Sequence, residues 1–485
     1  MRKVGLLSCL LLIGATPPSP DARLRAIVQP VSAAQLRHTI ETLVSFGTRH
    51  TLSSQTDSKR GIGAALSWSE AKFGRYSKAC GRCLVVTRAS DVVTGTRVPT
   101  PTRITDMIAI QRGTTRPNDV MIITGHIDSR VTDILNADAF EPGANDDGSG
   151  SATVMEAARV LSRHKFPGTI VYALLSGEEQ GLYGGKVLAA YAKAQGWNVI
   201  ADLNNDIIGN SCSSDGVCDA THVRVFSEGP RWQGHEELAA QQRSLGGEND
   251  APSRNISRWL DRLADRLNIG LDVRQVWRND RFGRGGDHAE FLNAGYPAVR
   301  FSVAVENYDW QHQDVRVENG KHYGDTVDHM DFGYLEKVAK LNIAALAALA
   351  SAPPPPEPTV EGAVSTDTTV SWDAGQGGGS FIVWRRRTDA NQWQLARQAG
   401  WPKDCTLAQH GSNDPNEKLV GGNSLMGGWT IPHCKVVLPH VRVDDWVFGV
   451  SAVSTRSAKD GFESPVASAV PGGAFRPWVK PADVK

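Results

Sequence analysis

Four short apolar blocks recur through the first two thirds of the chain: "DVMIITG" from 119, "GTIVYALLS" from 168, "WNVIADLN" from 197 and "YPAVRFSV" from 296. Blocks of that length, rich in Val and Ile, predict strands buried on both faces. Between and after them the period changes to that of a helix. "SATVMEAARVLSRH" sets Val154, Ala158 and Leu161 on one face, and "YLEKVAKLNIAALAALA" makes a second helix that closes the region. Strands and helices in alternation predict an α/β domain with a mixed, largely parallel central sheet flanked by helices.

The pattern breaks at "ASAPPPPEPTVEG", residues 350 to 362, where the prolines favour stiff, extended backbone. Beyond it come short alternating segments, "DTTVSWDA", "SFIVWRRRTD", "QWQLARQ", "CKVVLPHV" and "DDWVFGVSAVS", separated by turn residues. They predict a small all-β sandwich. A chain of 485 residues is longer than one core usually fills. The expected organisation is therefore a first domain over 23–352, a Pro-rich linker over 353–358 and the sandwich over 359–485. The linker is expected to isolate the sandwich, so that a chain ending near Ala352 keeps the chemistry of the first domain.

The first 22 residues, "MRKVGLLSCLLLIGATPPSPDA", have a basic start, an apolar stretch too short to span a bilayer, and then small residues and prolines. This is the layout of a secretory signal. Its removal takes Cys9 and leaves Cys80, Cys83, Cys212, Cys218, Cys405 and Cys434, an even set that suits disulfides in a secreted or periplasmic protein. Cys405 and Cys434, the only cysteines after the linker, are expected to pair. "CGRC" at 80–83 lacks the second pair that a zinc ribbon needs. Lys plus Arg balances Asp plus Glu at 52 each, so charge implies no nucleic-acid or anionic-membrane partner.

The candidate chemistry lies after the apolar blocks. "GHIDS" follows the first, "GEEQGLYGG" the second, "NDIIGN" the third and "ENYDWQHQD" the fourth. Ligands of open α/β sheets bind beyond the carboxyl ends of the strands, so each block delivers His, Glu or Asp to one edge. A single acid there is usually a helix cap. Four together, with a histidine and five aspartates in residues 125–150 alone, repel one another unless cations hold them. Two divalent metals fit: His126 and His312 as nitrogen ligands, Asp146 as the bridge, and Glu179 and Asp206 as one carboxylate to each metal. That mixed nitrogen and oxygen set favours zinc.

"GHIDS", "GANDDGSG", "SGEEQGLYGG", "NNDIIGN" and "GGDHAEFLNAGYPAVRF" stand in the order of the motifs of the co-catalytic di-zinc aminopeptidases, the bacterial leucyl aminopeptidase type. Over residues 100 to 345 the chain resembles that family. The resemblance implies a metallopeptidase with two Zn2+ per chain, acting on peptide or protein N-termini. It carries over His126, Asp146, Glu179 and Asp206 as ligands, makes Glu178 the general base, and makes Asp128 the carboxylate that orients His126.

Two features depart from the family. Gly286 stands where a serine precedes the Asp-His pair, so Asp287 and His288 are left without a role at the metals, helix capping being as good a reading. The last histidine ligand usually comes shortly before a "DT" pair, which would make it His322 in "KHYGDT". His312 lies closer to the strand and follows a tyrosine-containing loop, and it is the favoured one.

After the linker, the placement of Trp372, Trp446 and Phe448 resembles a fibronectin type III module, which suggests attachment to a surface or substrate. The expected function is a secreted or periplasmic aminopeptidase hydrolysing the N-terminal peptide bond. A one-metal glutaminyl cyclase or a carboxypeptidase on the same fold, and a binding module that has lost its metals, are the alternatives. The intact His126, Asp146, Glu178, Glu179 and Asp206 argue against the last.

Overall fold

The structure is a computed structural model that describes residues 18–230, 236–375, 379–401, 403–407 and 432–470. Most of the expected signal segment lies outside the described residues. In chain order the first part carries α1 Pro20–Val28, α2 Ala33–Val44, α3 Gly61–Ala79, β1 Leu84–Gly95, β2 Val98–Gln111, β3 Arg116–His126, α4 Gly148–Leu161, β4 Gly168–Leu175 and α5 Tyr183–Ala194. It continues with β5 Asn198–Asn205, β6 His222–Ser227, α6 Glu236–Leu245, α7 Pro252–Leu267, β7 Asp272–Val276, α8 His288–Asn293 and β8 Ala298–Val303. A small hairpin, β9 Arg316–Glu318 and β10 Lys321–Tyr323, precedes α9 Phe332–Ser351.

Eight strands form one mixed sheet in the order β1-β2-β4-β3-β5-β8-β6-β7. The four apolar blocks are its middle strands, β4, β3, β5 and β8, each parallel to the next. β2 and β6 join them antiparallel, one on each side. Parallel strands need cover on both faces, and the alternation along β3 shows how they get it. Met121 and Ile123 join the larger apolar cluster with residues of α2, α4 and α9. Val120 and Ile122 join a smaller one with Leu188 and Ala192 of α5 and Phe291 of α8. Each such side chain, fully buried, contributes about 1.5–3 kcal/mol. The flanking strands gave little apolar signal because most of β1 is exposed.

The glycines of "GANDDGSG" serve close packing at the first turn of α4. A Cβ on Gly150 would stand 2.3 Å from the carbonyl oxygen of Asn205 at the end of β5. Asp147 caps the helix, its Oδ1 accepting from the Gly150 amide at 2.8 Å. One of the five aspartates is thus accounted for by bonds to backbone amides, those of Gly150, His126 and Ile207.

The last part has β11 Thr359–Glu361, β12 Thr368–Asp373, β13 Ser380–Arg387, β14 Gln394–Ala399, β15 Cys405–Leu407, β16 Pro432–Leu438, β17 Trp446–Val453 and β18 Ala467–Ser468. They make two four-stranded antiparallel sheets, β11-β12-β16-β15 and β14-β13-β17-β18. Both contribute to one apolar cluster containing Trp372, Val436, Phe381 and Phe448. A disulfide joins Cys405 of β15 to Cys434 of β16, and two others join Cys80 to Cys83 and Cys212 to Cys218. Trp446 only flanks the core and has Arg385 4.4 Å over its ring, so the fibronectin likeness stays an expectation from sequence.

The sandwich is not isolated by its linker. It is seated on the polar face of α7 and on Asp250 just before that helix. Arg386 of β13 forks onto Asp250 at 2.7 and 2.8 Å, both side chains being 2% exposed. Arg258 donates to the Asn391 carbonyl at 2.7 Å, Asn255 donates to Ser468 at 2.9 Å, and Trp259 donates to the Glu463 carbonyl at 3.2 Å. From sequence, the polar face of an amphipathic helix is read as solvated. Here a second set of strands covers it and bonds several of its groups.

Candidate metal and active site

Because β4, β3, β5 and β8 run in parallel, their carboxyl ends bring four loops to one edge. His126 is the last residue of β3. Its Nδ1 lies 3.0 Å from the Asp128 carbonyl, while its Nε2 faces Asp146 Oδ1 at 3.1 Å and Asp206 Oδ1 at 3.9 Å. Asp206 follows β5 directly. His312, in the loop after β8, has its Nε2 2.9 Å from Asp146 Oδ2 and 3.1 Å from Glu179 Oε1. Two three-residue groups result, His126 with Asp146 and Asp206, and Glu179 with Asp146 and His312. Among the described residues no other His, Cys, Asp or Glu cluster of this kind occurs.

The donor atoms fit cations. Ligands about 2.1 Å from a tetrahedral zinc stand about 3.4 Å from each other. The observed separations, 2.9 to 3.9 Å, bracket that value. His126 Nε2 and Glu179 Oε1 are buried without a hydrogen-bond partner, as atoms reserved for a ligand would be. Burial acts to lower the His126 pKa, but the adjoining carboxylates of Asp128 and Asp146 and the nearby charges of Glu178 and Asp147 outweigh it, holding it well above the ordinary value. In Asp146 burial acts upward, and His312 and His126 prevail to hold it well below.

Glu178 lines the cavity beside both groups, a space of about 360 Å³ shared with Asp146, Glu179, Asp206 and His312. Burial first, then repulsion from Asp206 and Glu179, raises its pKa well above that of an ordinary glutamate, against the pull of His126. Asp128 meets the imidazole through its backbone and the glutamates through its side chain. Its carboxylate is 3.6 Å from His126 Nδ1, beyond hydrogen-bonding distance, and the contact is made by its carbonyl instead. The carboxylate accepts from Thr51 Oγ1 at 2.8 Å and from the amides of Glu178 and Glu179 at 3.3 and 3.2 Å. It thus fixes the backbone of the two glutamates while standing within ion-pair distance of the imidazole.

His322 lies on the exposed hairpin strand β10 and belongs to neither group. Asp287 is not a cap: it makes no capping bond to α8, and its Oδ1 accepts from the Gly185 amide at the start of α5. Burial pushes its carboxyl up to about 7. His288 Nε2 lies 2.9 Å from the Asn279 carbonyl, away from both groups.

Sequence reasoning did not identify four supports. Arg300 holds Asp206 at 2.8 Å, and Arg130 holds Glu179 at 2.8 Å while its Nη2 lies 2.6 Å from His312 Nδ1. Arg49, fully buried, clamps the Ile127, Pro142 and Gly143 carbonyls at 2.6–2.8 Å and so ties the two arms of the acidic loop together. Asp325, noted only as a neighbour of His322, accepts from the amides of Asn145 and Asp146 at 2.7–2.9 Å. The "DT" pair was the only sequence signal for any of the four.

A model of Peptidase family M28 matches residues 106–346, a span that holds both groups and Glu178. A probable zinc metalloprotease of Leptosphaeria maculans is 41% identical over 401 residues, which cover 81% of this chain and 93% of that protein. The chain belongs to peptidase family M28. A second relative of this M28 peptidase, a probable zinc metalloprotease of Pyrenophora teres f. teres, is 39% identical over 454 residues, 93% of this chain and 87% of the other. So long a match has to include much of the sandwich. The structure of the LapA aminopeptidase of Legionella pneumophila superposes with a TM-score of 0.50 at 21% identity, covering 72% of this chain and 80% of that one, and shows the same fold. The expected enzyme class, a zinc-dependent metallopeptidase, agrees with the family and with its named relatives.

Proposed function

We propose that this M28 peptidase is an exported aminopeptidase that uses two zinc ions, with His126, Asp146 and Asp206 holding one and Asp146, Glu179 and His312 the other. The observation that carries the reading is that Asp146 stands in both groups while Glu178 lines the cavity beside them. Zinc bound there would polarise a peptide carbonyl and make a water acidic enough to attack it near neutral pH. Glu178 takes the proton of the attacking water and passes it to the departing amine; its place in the cavity beside both groups supports this. Asp128 and Arg130 keep Glu178 and Glu179 in place, and Arg300 does so for Asp206. A water-excluding setting for the shuttle comes from the burial of the surrounding carboxylates.

The test is metal content together with a substrate panel. Two zinc ions per chain and cleavage of free, but not N-acetylated, aminoacyl substrates are the expected results. One zinc, or ring closure of N-terminal glutamine in place of hydrolysis, would favour the cyclase. Preference for N-acetylated substrates with a free C-terminus would favour the carboxypeptidase. Export is supported by the three disulfides, which persist in oxidising compartments. The seating of Arg386 and Asn391 on Asp250 and α7 favours a role for that module within the enzyme over attachment elsewhere.

A further inference from the structure

The cavity beside the metal groups has an unusual wall. Four arginines line it, Arg97 from the turn between β1 and β2, Arg130 after β3, and Arg281 and Arg284 from the loop between β7 and α8. Among the described lining residues Leu182 is the one apolar side chain. A pocket selecting leucine or phenylalanine would be lined by several. The four guanidinium groups match the four carboxylates of Asp146, Glu178, Glu179 and Asp206 before any cation is bound. Divalent cations on those carboxylates would leave the cavity strongly positive, so it repels an ammonium or guanidinium side chain and attracts an anion.

Two of the arginines have all three guanidinium nitrogens bonded. Arg130 is held by Glu179, His312 and the Val131 carbonyl. Arg281 is held by Asp280, by Glu306 and by the Gly285 carbonyl. The other two do not. Arg97 spends one N–H on the Glu179 carbonyl at 3.1 Å. Arg284 spends one on Glu306 at 2.8 Å, and Glu306 already serves Arg224 at 2.5 Å and Arg281 at 3.4 Å. Arg97 and Arg284 therefore keep unspent donors at the cavity, in the planar fork that suits a carboxylate.

We propose that Arg97 and Arg284 form a subsite for a carboxylate adjacent to the scissile bond, so that the preferred substrates carry an acidic group there. On the aminopeptidase reading, on which this rests, the carboxylate is the side chain of an N-terminal Glu or Asp. The same chemistry is offered by the C-terminal carboxylate of a short peptide, and the experiment separates the two sources.

The zinc-loaded full chain is assayed on glutamyl, aspartyl, leucyl and lysyl anilides, and on N-acetyl dipeptides with a free or an amidated C-terminus. The expected result is a kcat/KM for glutamyl or aspartyl at least tenfold above leucyl. Arg284→Met should lower the glutamyl-to-leucyl ratio about 10- to 100-fold, the worth of a charge-assisted fork, mainly through KM. Arg97→Met should act in the same direction, and Arg284→Lys should fall between. A ratio taken on one preparation is independent of how much of the protein is folded. Calorimetry with free L-glutamate and L-leucine gives a second readout, in which Arg284→Met should weaken glutamate binding tenfold or more relative to leucine. Cleavage of N-acetyl dipeptides only when the C-terminus is free, lost in Arg284→Met, would uphold the subsite and overturn the aminopeptidase reading. A leucyl preference in the unaltered enzyme, or a glutamyl preference untouched by both Met substitutions, would overturn the subsite while leaving the metallopeptidase intact.

Discussion

At the scale of the residue, adjacent glutamates divide one task. Glu179 offers a buried oxygen with no hydrogen-bond partner to the His312 group, and Glu178 turns to the cavity. Glu178→Gln should keep the zinc content and the circular dichroism of the native enzyme while cutting kcat by about two to four orders of magnitude, measured with metal-loaded protein. His312→Ala should lose zinc by elemental analysis, and His322→Ala should not, because His322 is exposed on β10. The carboxylates around His126 raise its pKa well above the ordinary value, so near neutral pH the metal-free ring is protonated and zinc has to displace that proton. Zinc affinity should therefore rise with pH from 6 to 8, by up to about tenfold per unit for each proton released, and loading should acidify a weakly buffered solution. An affinity flat across that range would mean that the metal-free ring is already unprotonated at pH 6. The clustering of His, Asp and Glu at one sheet edge was legible from sequence because each follows an apolar strand. The added reach of Asp128 to the glutamate amides was not legible, since which groups a carboxylate meets depends on the turn that carries it.

At the scale of the element, the site follows from four parallel strands, and its precision comes from what holds their exit loops. Asp325 grips the backbone amides of Asn145 and Asp146 from a segment 180 residues away. Asp325→Asn removes an acceptor from that grip and should weaken zinc binding about 10- to 100-fold in chelator competition, as loss of an outer support does, with secondary structure unchanged. Unaltered affinity would mean that Arg49 and the first turn of α4 suffice. The strands themselves were readable because burial on both faces leaves an unbroken apolar run. Their order was not, since hydrogen-bonding neighbours such as β2 and β4 lie far apart in the chain.

At the scale of the whole molecule, the sandwich and α7 form one buried polar interface. Arg386→Met leaves the buried carboxylate of Asp250 short of its main partner and should destabilise the protein by about 3 kcal/mol in urea unfolding, since breaking one half of a buried pair costs about that much. A chain ending at Ala352 uncovers the same face of α7. It should be less stable than the full chain, in contrast to the independence that the proline linker suggests. Equal stability of the two would show that the interface contributes nothing net. The interface also reaches toward the cavity, because Arg258 stacks 4.8 Å over Trp277, which opens the loop carrying Arg281 and Arg284.

The sequence by itself determined the α/β class, the strands at the centre of the sheet, the metal-seeking character of the acidic loops and the pairing of Cys405 with Cys434, because apolar runs, crowded like charges and cysteine count act through local chemistry. Only the tertiary structure brought Asp146 and His312, which the sequence already favoured, within ångströms of each other, and only it showed that Asp128 reaches the glutamate backbone and that the sandwich is seated on α7. Each of these depends on atoms brought within a few ångströms by strand order and loop closure. A one-dimensional pattern carries residue type and period, but neither the distance between residues 180 positions apart nor the partner that covers a polar face.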